Sequence, residues 1–180
     1  MQKRTIDDLQ RINVESFKNQ EKIPLVVILD NVRSALNVGS AFRTADAFAL
    51  ESVILCGITA QPPHREILKT ALGADQSVDW RYFEDTCDAI KHFQNQGYQV
   101  WAVEQVKDST WLQDFIWPEV PLCIVFGNEV DGVSDEVMEL VNGCIEIPQF
   151  GTKHSLNISV SMGIVIWELF KKKETLKKNQ

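Results

Sequence analysis

Six short runs, most of them apolar and rich in β-branched residues, alternate along the chain with segments of helical periodicity. The runs lie at residues 25–30, 52–59, 77–80, 98–104, 121–129 and 144–148. The helical segments lie at about 38–48, 64–71, 85–96, 134–141 and 156–173. Strands that are apolar on both faces and alternate with helices are typical of a parallel sheet covered on both sides. The sequence therefore predicts an α/β fold with a mostly parallel sheet and helices on both faces.

The chain divides into three segments by composition. Its 180 residues are enough for one domain with a full hydrophobic core. Residues 1–22 are predicted to form a polar, helical N-terminal arm, with apolar points at Ile6, Leu9, Ile12, Val14 and Phe17. Residues 23–173 are predicted to form the α/β domain, and residues 174–180 a basic tail.

The formal net charge of −7 argues against tight, nonspecific binding of nucleic acid by the whole surface. An RNA partner would have to contact a local basic patch. The arm offers one such patch, with Lys3, Arg4, Arg11, Lys18 and Lys22, and the segment from Lys171 offers another. Both can equally be solvated helix ends, and the charge alone leaves the two interpretations open.

The cysteines and the absence of export signals indicate a cytoplasmic protein. The four cysteines, Cys56, Cys87, Cys123 and Cys144, form no CxxC pair, and three of them lie in strand-like runs, so we expect reduced thiols. The N-terminal sequence has no apolar signal-peptide core, and no apolar run reaches the length of a membrane span. We expect no membrane partner.

The common cofactor fingerprints are missing. The first strand is not followed by GxGxxG, and GNEVDG at 127–132 is followed by Val133 where a P-loop needs lysine. A nucleotide-binding oxidoreductase of the ordinary doubly wound type therefore lacks its signature. The histidines His64, His92 and His154 show no metal-ligand spacing, so no metal site is predicted.

Polar and small residues are concentrated in three loops that follow predicted strands, which is where parallel α/β sheets bind ligands. The candidates are Asn37, Arg43, Glu129, Ser155 and Asn157. Each also has a purely structural interpretation. Asn37 and Ser155 can be helix N-caps, Asn157 a first-turn polar residue, Arg43 a solvent-facing side chain and Glu129 part of a turn. Further small residues, Ser159 and Ser161, crowd the start of the last helix, which suggests that something is bound there.

Three stretches resemble, in order, the three motifs of the SpoU-type (TrmH-like) branch of the SPOUT RNA methyltransferases. They are LNVGSAFRTADAF at 36–48, IVFGNEVDGVSDEV at 124–137 and IEIPQFGTKHSLNISVSMGI at 145–164. The stretch KTALGADQSVDW at 69–80 is also similar to family sequences. The motif positions that match are Asn37, Gly39, Arg43, Gly127, Glu129, Gly132, Ile147, Pro148, Gly151, Ser155, Leu156 and Asn157.

This resemblance implies a fold and a cofactor that the residue patterns alone do not give. It implies a homodimer, a deep trefoil knot in the C-terminal part of the domain at 23–173, and S-adenosylmethionine bound in that knot. A helix that threads through a loop beside a cofactor would need small residues at its start. The implied cofactor-binding residues are Phe126, Gly127, Asn128, Glu129, Ile147, Pro148, Ser155, Leu156 and Asn157.

The resemblance also implies transfer of a methyl group to a ribose 2′-hydroxyl of RNA. Arg43 matches the family's catalytic arginine and would stabilise the developing alkoxide or the adjacent phosphate, because a guanidinium stays protonated in proteins. Asn37 and Glu129 would hold Arg43 and the ribose, and Ser155 and Asn157 would support the site. Part of each site would come from the second subunit.

The sequence departs from the family pattern in small ways. Ala49 replaces a common glycine and Ser161 a common alanine, and the extra N-terminal RNA-binding domain of many rRNA-modifying relatives is missing. The stretch RTIDDLQRINVESF at 4–17 is weakly similar to the N-terminal helix of tRNA guanosine-ribose enzymes, which favours tRNA over rRNA as substrate. The alternative is a non-catalytic RNA-binding protein that retains the knotted cofactor site.

Overall fold

A computed structural model describes residues 3–4 and 11–178, and this part of the chain contains one seven-stranded sheet. The strands follow the order β3-β2-β1-β6-β4-β7-β5, and every paired neighbour is parallel. The strands are β1 Ile23–Asp30, β2 Leu50–Cys56, β3 Asp79–Phe83, β4 Gln99–Val103, β5 Thr110–Trp111, β6 Leu122–Phe126 and β7 Gly143–Glu146. The predicted α/β fold with a parallel sheet is confirmed.

Helices cover both faces of the sheet. They are α1 Val14–Asn19, α2 Ala35–Ala47, α3 Arg65–Ala71, α4 Ala74–Ser77, α5 Thr86–Gln94, α6 Asp135–Met138 and α7 Ile158–Lys178. Leu25, Val27 and Leu29 of β1 pack in one core with residues of α2, α3 and α7. Val26 and Ile28 face the opposite way and pack in a second core with residues of α5 and α6. This alternation explains why β1 is apolar at nearly every position.

The observed elements differ from the prediction most clearly at β5, α4, β2 and α7. β5 and α4 were not predicted, because elements of two and four residues are too short to show a periodicity. The second strand ends at Cys56, and Gly57 then turns the chain with φ +58°. α7 continues to Lys178, so the last helix includes most of the segment that the sequence assigns to a separate tail.

The described part of the N-terminal arm is anchored by one aromatic side chain. α1 is capped by Asn13, whose Oδ1 accepts the Ser16 N–H at 2.8 Å, and it buries Phe17. The Lys22 ammonium lies 3.1 Å from the centre of the Phe17 ring and donates to the Phe17 carbonyl. Among the other predicted apolar points, Ile12 and Val14 are exposed. Ile6 and Leu9 lie outside the described residues.

All four cysteines are free thiols, and Cys56, Cys123 and Cys144 are buried. Burial raises the pKa of the Cys56 thiol to about 12, so this side chain stays protonated and packs as a small hydrophobe. No helix in the described ranges is long and apolar enough to cross a membrane.

The carboxyl ends of β1, β6, β4 and β7 lie side by side at one edge of the sheet. A buried carboxylate fixes part of this edge. Asp30 accepts from the Thr86 hydroxyl at 2.6 Å and from the Ser134 N–H at 3.2 Å. Asp30 therefore connects the end of β1 to the starts of α5 and α6, and the loop that follows β6 is held against the sheet.

Candidate active site

A cavity of about 570 Å³ opens at the carboxyl edge of β4, β6 and β7. Every residue that the family resemblance assigns to the cofactor lines it, except Pro148. The lining residues are Val103, Glu104, Gln105, Phe126, Gly127, Asn128, Glu129, Val130, Asp131, Gly132, Ile147, Gln149, His154, Ser155, Leu156, Asn157, Ile158 and Ser161. Three loops that are far apart in sequence therefore form one binding site.

The loop after β6 forms one wall as a compact turn. Asn128 and Gly132 exchange backbone hydrogen bonds of 3.0 and 3.2 Å, and Asn128 Oδ1 accepts the N–H groups of Val130 and Asp131 at 2.9 Å. A Cβ at Gly127 would lie 2.0 Å from the Gly132 carbonyl carbon. Gly132 itself has φ +71°, a conformation that side chains disfavour. Both glycines are therefore required by the shape of this wall.

Glu129 connects this loop to the start of α2. Its carboxylate accepts the N–H groups of Arg33 at 3.0 Å and Ser34 at 3.1 Å, together with the side-chain amide of Asn37 at 2.8 Å. Burial acts to raise the pKa of Glu129, but the donors from Arg33, Asn37 and Ser34 and the residue's own N–H lower it overall. The turn interactions belong to Asn128, so the interpretation of Glu129 as a simple turn residue is wrong.

Asn37 is not the N-cap of α2. Ser34 occupies that position, and its hydroxyl accepts the Asn37 N–H at 3.4 Å. The Asn37 side chain is only 8% exposed and is directed to Glu129. Asn37 therefore contributes to the site by positioning the β6 loop, and it does not line the cavity.

Arg43 is exposed and does not line the cavity of this chain. It follows Asn37 by six residues on α2, which places the two side chains about 120° apart around the helix axis. The Arg43 side chain makes no hydrogen bond or ion pair within the ranges 3–4 and 11–178. Within this chain, the arginine that the resemblance marks as catalytic therefore lies apart from the cavity that holds the implied cofactor residues.

The small polar residues at the start of α7 cap the helix or line the cavity. Asn157 caps the helix: its Oδ1 accepts the Ser159 N–H at 2.8 Å and the Ser159 hydroxyl at 2.6 Å. The alternative in which Ser155 is the cap and Asn157 a first-turn residue is therefore wrong. Ser155 and Leu156 precede the cap and line the cavity, as does Ser161 one turn later.

Two lining residues that the sequence analysis missed come from the end of β4. Glu104 accepts the Val133 N–H at 3.2 Å, and Gln105 donates from its side chain to the His154 carbonyl at 2.6 Å. The sequence did contain a signal for Glu104, because this carboxylate is the last residue of the predicted strand at 98–104 and so lies at the edge of the sheet where ligands bind. His154, considered in the sequence only as a metal ligand, also lines the cavity.

Pro148 lies at a second, more apolar cavity of about 460 Å³ on the other side of this segment. Its lining residues are Leu112, Gln113, Ile147, Pro148, Gly163, Ile164, Trp167 and Glu168. Within the described ranges, no three His, Cys, Asp or Glu side chains are grouped so that they could hold a metal ion.

The model of the SpoU rRNA methylase family matches residues 24–167, which include the whole cavity. The chain belongs to the SpoU rRNA methylase family. The SpoU relationship also accounts for the order of the three motif segments along the chain, of which the second and third line the cavity.

The names of curated SpoU relatives specify different RNA substrates. A TrmH-family tRNA/rRNA methyltransferase of Staphylococcus haemolyticus is 31% identical over 92% of the chain, which spans 66% of that protein. A 23S rRNA (guanosine-2′-O-)-methyltransferase of Vibrio parahaemolyticus is 30% identical over 89% of the chain and 64% of the relative. A tRNA (guanosine(18)-2′-O)-methyltransferase of Thermus thermophilus is 28% identical over 93% of the chain and 84% of the relative.

Solved SpoU structures have the same fold. A TrmH/SpoU tRNA modifying enzyme of A. aeolicus superposes with a TM-score of 0.79 at 27% identity, over 91% of this chain and 82% of that one. An rRNA methyltransferase of Sinorhizobium meliloti with AdoMet bound has a TM-score of 0.77 at 29% identity, over 90% and 61% of the two chains.

Replacing Glu129 with glutamine is expected to lower the free energy of unfolding of this SpoU chain by about 1 kcal/mol near neutral pH. The variant loses the charge and one acceptor, and solvent screening limits the effect because the carboxylate is partly exposed. The folded-state pKa of Glu129 lies below its ordinary value of 4.5. The contribution is therefore present above that value and disappears as the pH falls through the lowered pKa.

Urea unfolding of both proteins across the acidic range measures this difference. Asp131→Asn is the matched control, because Asp131 lies in the same loop and, among the described residues, its side chain makes only an exposed ion pair with Arg33 at 3.7 Å. If the difference in free energy of unfolding between the two proteins stays unchanged as the pH falls below the ordinary pKa of 4.5, the carboxylate of Glu129 does not make this contribution.

Proposed function

We propose that this chain transfers the methyl group of S-adenosylmethionine to a ribose 2′-hydroxyl of RNA. The observation that carries the proposal is the assembly of the second and third motif segments around one cavity, to which Glu129 attaches the first motif segment. The related S. meliloti structure with bound AdoMet, and the names of the tRNA and rRNA relatives, support the same activity.

The cavity suits S-adenosylmethionine in size and in chemistry. Its volume of about 570 Å³ lies in the ordinary range for sites of small ligands. Glu104, Glu129 and Asp131 give it an acidic lining, which suits a ligand with a sulfonium and an ammonium group. The exposed backbone groups near Gly127, Ile147 and Leu156 would hold the adenine and the amino acid portion. When bound, the cofactor supplies an electrophilic methyl group.

The chain's own residues then align the ribose and stabilise charge. A 2′-hydroxyl ionises only far above neutral pH, so the oxygen needs a positive partner as its charge develops. Arg43 supplies that partner, directly or through the adjacent phosphate. Asn37 and Glu129 position the wall of the cavity through their 2.8 Å hydrogen bond. Asn157, as the cap of α7, places Ser155 and Leu156 at the cofactor.

A homodimer would bring Arg43 to a cavity. Val160, Ile164 and Trp167 form an apolar stripe along the outer face of α7, and their exposed fractions are 49%, 38% and 50%. The stripe borders the second cavity, where Pro148 lies. Covering such a stripe with a second copy would remove apolar area from water and supply Arg43 from the partner. We also propose that the segment between β7 and α7 is threaded as the family's trefoil knot.

The proposed substrate is tRNA rather than rRNA. The T. thermophilus relative, a tRNA enzyme by name, is matched over 84% of its length. The positive charge of the C-terminal patch is partly compensated, because Lys171 and Lys172 pair with Glu168, and in the N-terminal patch Lys22 packs on Phe17. RNA would then be recognised by shape at the dimer surface, and the activity would take place in the cytoplasm.

Transfer of labelled methyl from S-adenosylmethionine to unmodified tRNA and rRNA pools tests this function. We expect label in tRNA, retained after alkaline hydrolysis in a dinucleotide, since a 2′-O-methyl group blocks cleavage of the adjoining phosphodiester. The control adds excess S-adenosylhomocysteine, which should suppress labelling. Cofactor binding without label in either pool would contradict the proposal and would favour a non-catalytic RNA-binding protein.

A further inference from the structure

We propose that Glu104 and Gln105 are positioning residues that clamp the two walls of the cofactor cavity and so set its affinity for S-adenosylmethionine. The ligand's identity rests on the proposed function. The two residues follow β4 directly, and β4 lies between β6 and β7 in the sheet. The loops after β6 and β7 form the two walls, so consecutive residues of one central strand contact both.

Glu104 holds the wall that follows β6. Its Oε2 accepts the Val133 N–H at 3.2 Å, while its Oε1 accepts the Gln105 N–H at 2.8 Å. The two bonds fix the orientation of the carboxylate. A Cβ at Gly132 would lie 2.2 Å from Glu104 Oε2, so the glycine in the turn is what permits the carboxylate to approach.

Gln105 holds the opposite wall. Its side-chain Nε2 donates to the His154 carbonyl at 2.6 Å. Among residues 3–4 and 11–178, this is the one hydrogen bond made by the segment 147–156. Ser155 and Leu156, which follow His154 directly, line the cavity. Within the described residues, this bond is therefore the polar contact that fixes the segment 147–156 against the end of β4.

The clamp differs from the three motif segments in its place and its role. Glu104 and Gln105 lie outside all three motif segments. Glu104 accepts a backbone hydrogen bond from the second segment, and Gln105 donates one to the backbone of the third segment. They therefore act on the ligand mainly through the loops they hold. A positioning role of this kind changes the affinity for the cofactor more than it changes the affinity for RNA.

Calorimetric titration of the full chain with S-adenosylmethionine tests the Gln105 half of the clamp. Gln105→Met removes the donor at nearly constant size, and we expect the Kd to rise about tenfold or more. Gln94→Met is the matched control, because Gln94 Nε2 also donates to a backbone carbonyl, that of Leu140, at 2.8 Å. Gln94 lies on α5, away from the cavity, so its variant should keep the original Kd.

The Glu104 half is tested with two substitutions. Glu104→Met removes the acceptor and the charge and is expected to raise the Kd by a similar factor. Glu104→Gln loses the charge but keeps an oxygen for the Val133 N–H, so it should restore part of the affinity. In steady-state assays, the KM for S-adenosylmethionine should rise in both Met variants while the KM for RNA stays unchanged.

The outcomes separate the clamp from the proposed function. Equal Kd values for Gln105→Met and Gln94→Met would overturn the clamp, as would a loss in Glu104→Gln as large as in Glu104→Met. Failure of the unaltered chain to bind S-adenosylmethionine would overturn the proposed function itself. Far-ultraviolet circular dichroism confirms that each variant is folded before its Kd is compared.

Discussion

Replacing Arg43 with alanine is expected to lower the rate constant for methyl transfer about a hundredfold to a thousandfold, with no change in the Kd for S-adenosylmethionine. In the proposed mechanism the rate falls because the guanidinium would stabilise charge that develops on the ribose oxygen only as the reaction proceeds. The affinity stays because Arg43 does not line the cavity of its own protomer. Single-turnover transfer to tRNA, beside calorimetric titration, measures both quantities.

Two further variants sharpen the Arg43 experiment. Arg43→Lys keeps the charge but loses the planar fork of donors, so we expect only partial activity. Arg81→Ala is the matched control, since Arg81 is an exposed arginine on the edge strand β3, far along the sheet from the cavity. An Arg43→Ala protein that methylates tRNA at the original rate would remove Arg43 from the mechanism.

The sheet could be predicted from the sequence because its signal is local. Each of the strands β1, β2 and β6 is buried on both faces, so its apolar run is unbroken and stands out against the helical segments. Glu129, Ser155 and Asn157 could also be identified as candidates, because they follow strands whose carboxyl ends must share one edge of a parallel sheet. The other residues assigned to the cofactor came from the resemblance to the SpoU motifs.

The hydrogen bonds within the site could not be predicted. Glu129 and Asn37 are 92 positions apart, and Gln105 and His154 are 49 positions apart. Such pairs depend on which strands are neighbours, and periodicity carries no information about strand order. The cap of α7 was missed for a related reason: Ser155 and Asn157 are both good N-caps, and the choice depends on where the loop leaves the cavity.

Gly127→Ala is expected to weaken cofactor binding about a hundredfold. The added Cβ would lie 2.0 Å from the Gly132 carbonyl carbon and 2.2 Å from the Val133 nitrogen. Both are backbone atoms, which cannot rotate away as a side chain can, so the turn must open and the cavity wall must move. Gly151→Ala is the control, because a Cβ there meets nothing within 4 Å. Equal Kd values for the two variants would contradict this role for Gly127.

Mixing the Gly127→Ala and Arg43→Ala proteins tests whether a site is shared between subunits. If each cavity uses Arg43 of the partner, a mixed dimer has one site with both defects and one with neither. Random exchange makes about half of the dimers mixed, so about a quarter of the original activity should return. If Arg43 serves its own protomer, every site in the mixture carries a defect and no activity returns, which would contradict the shared site. The separation of Arg43 from the cavity within one protomer makes recovery the expected result.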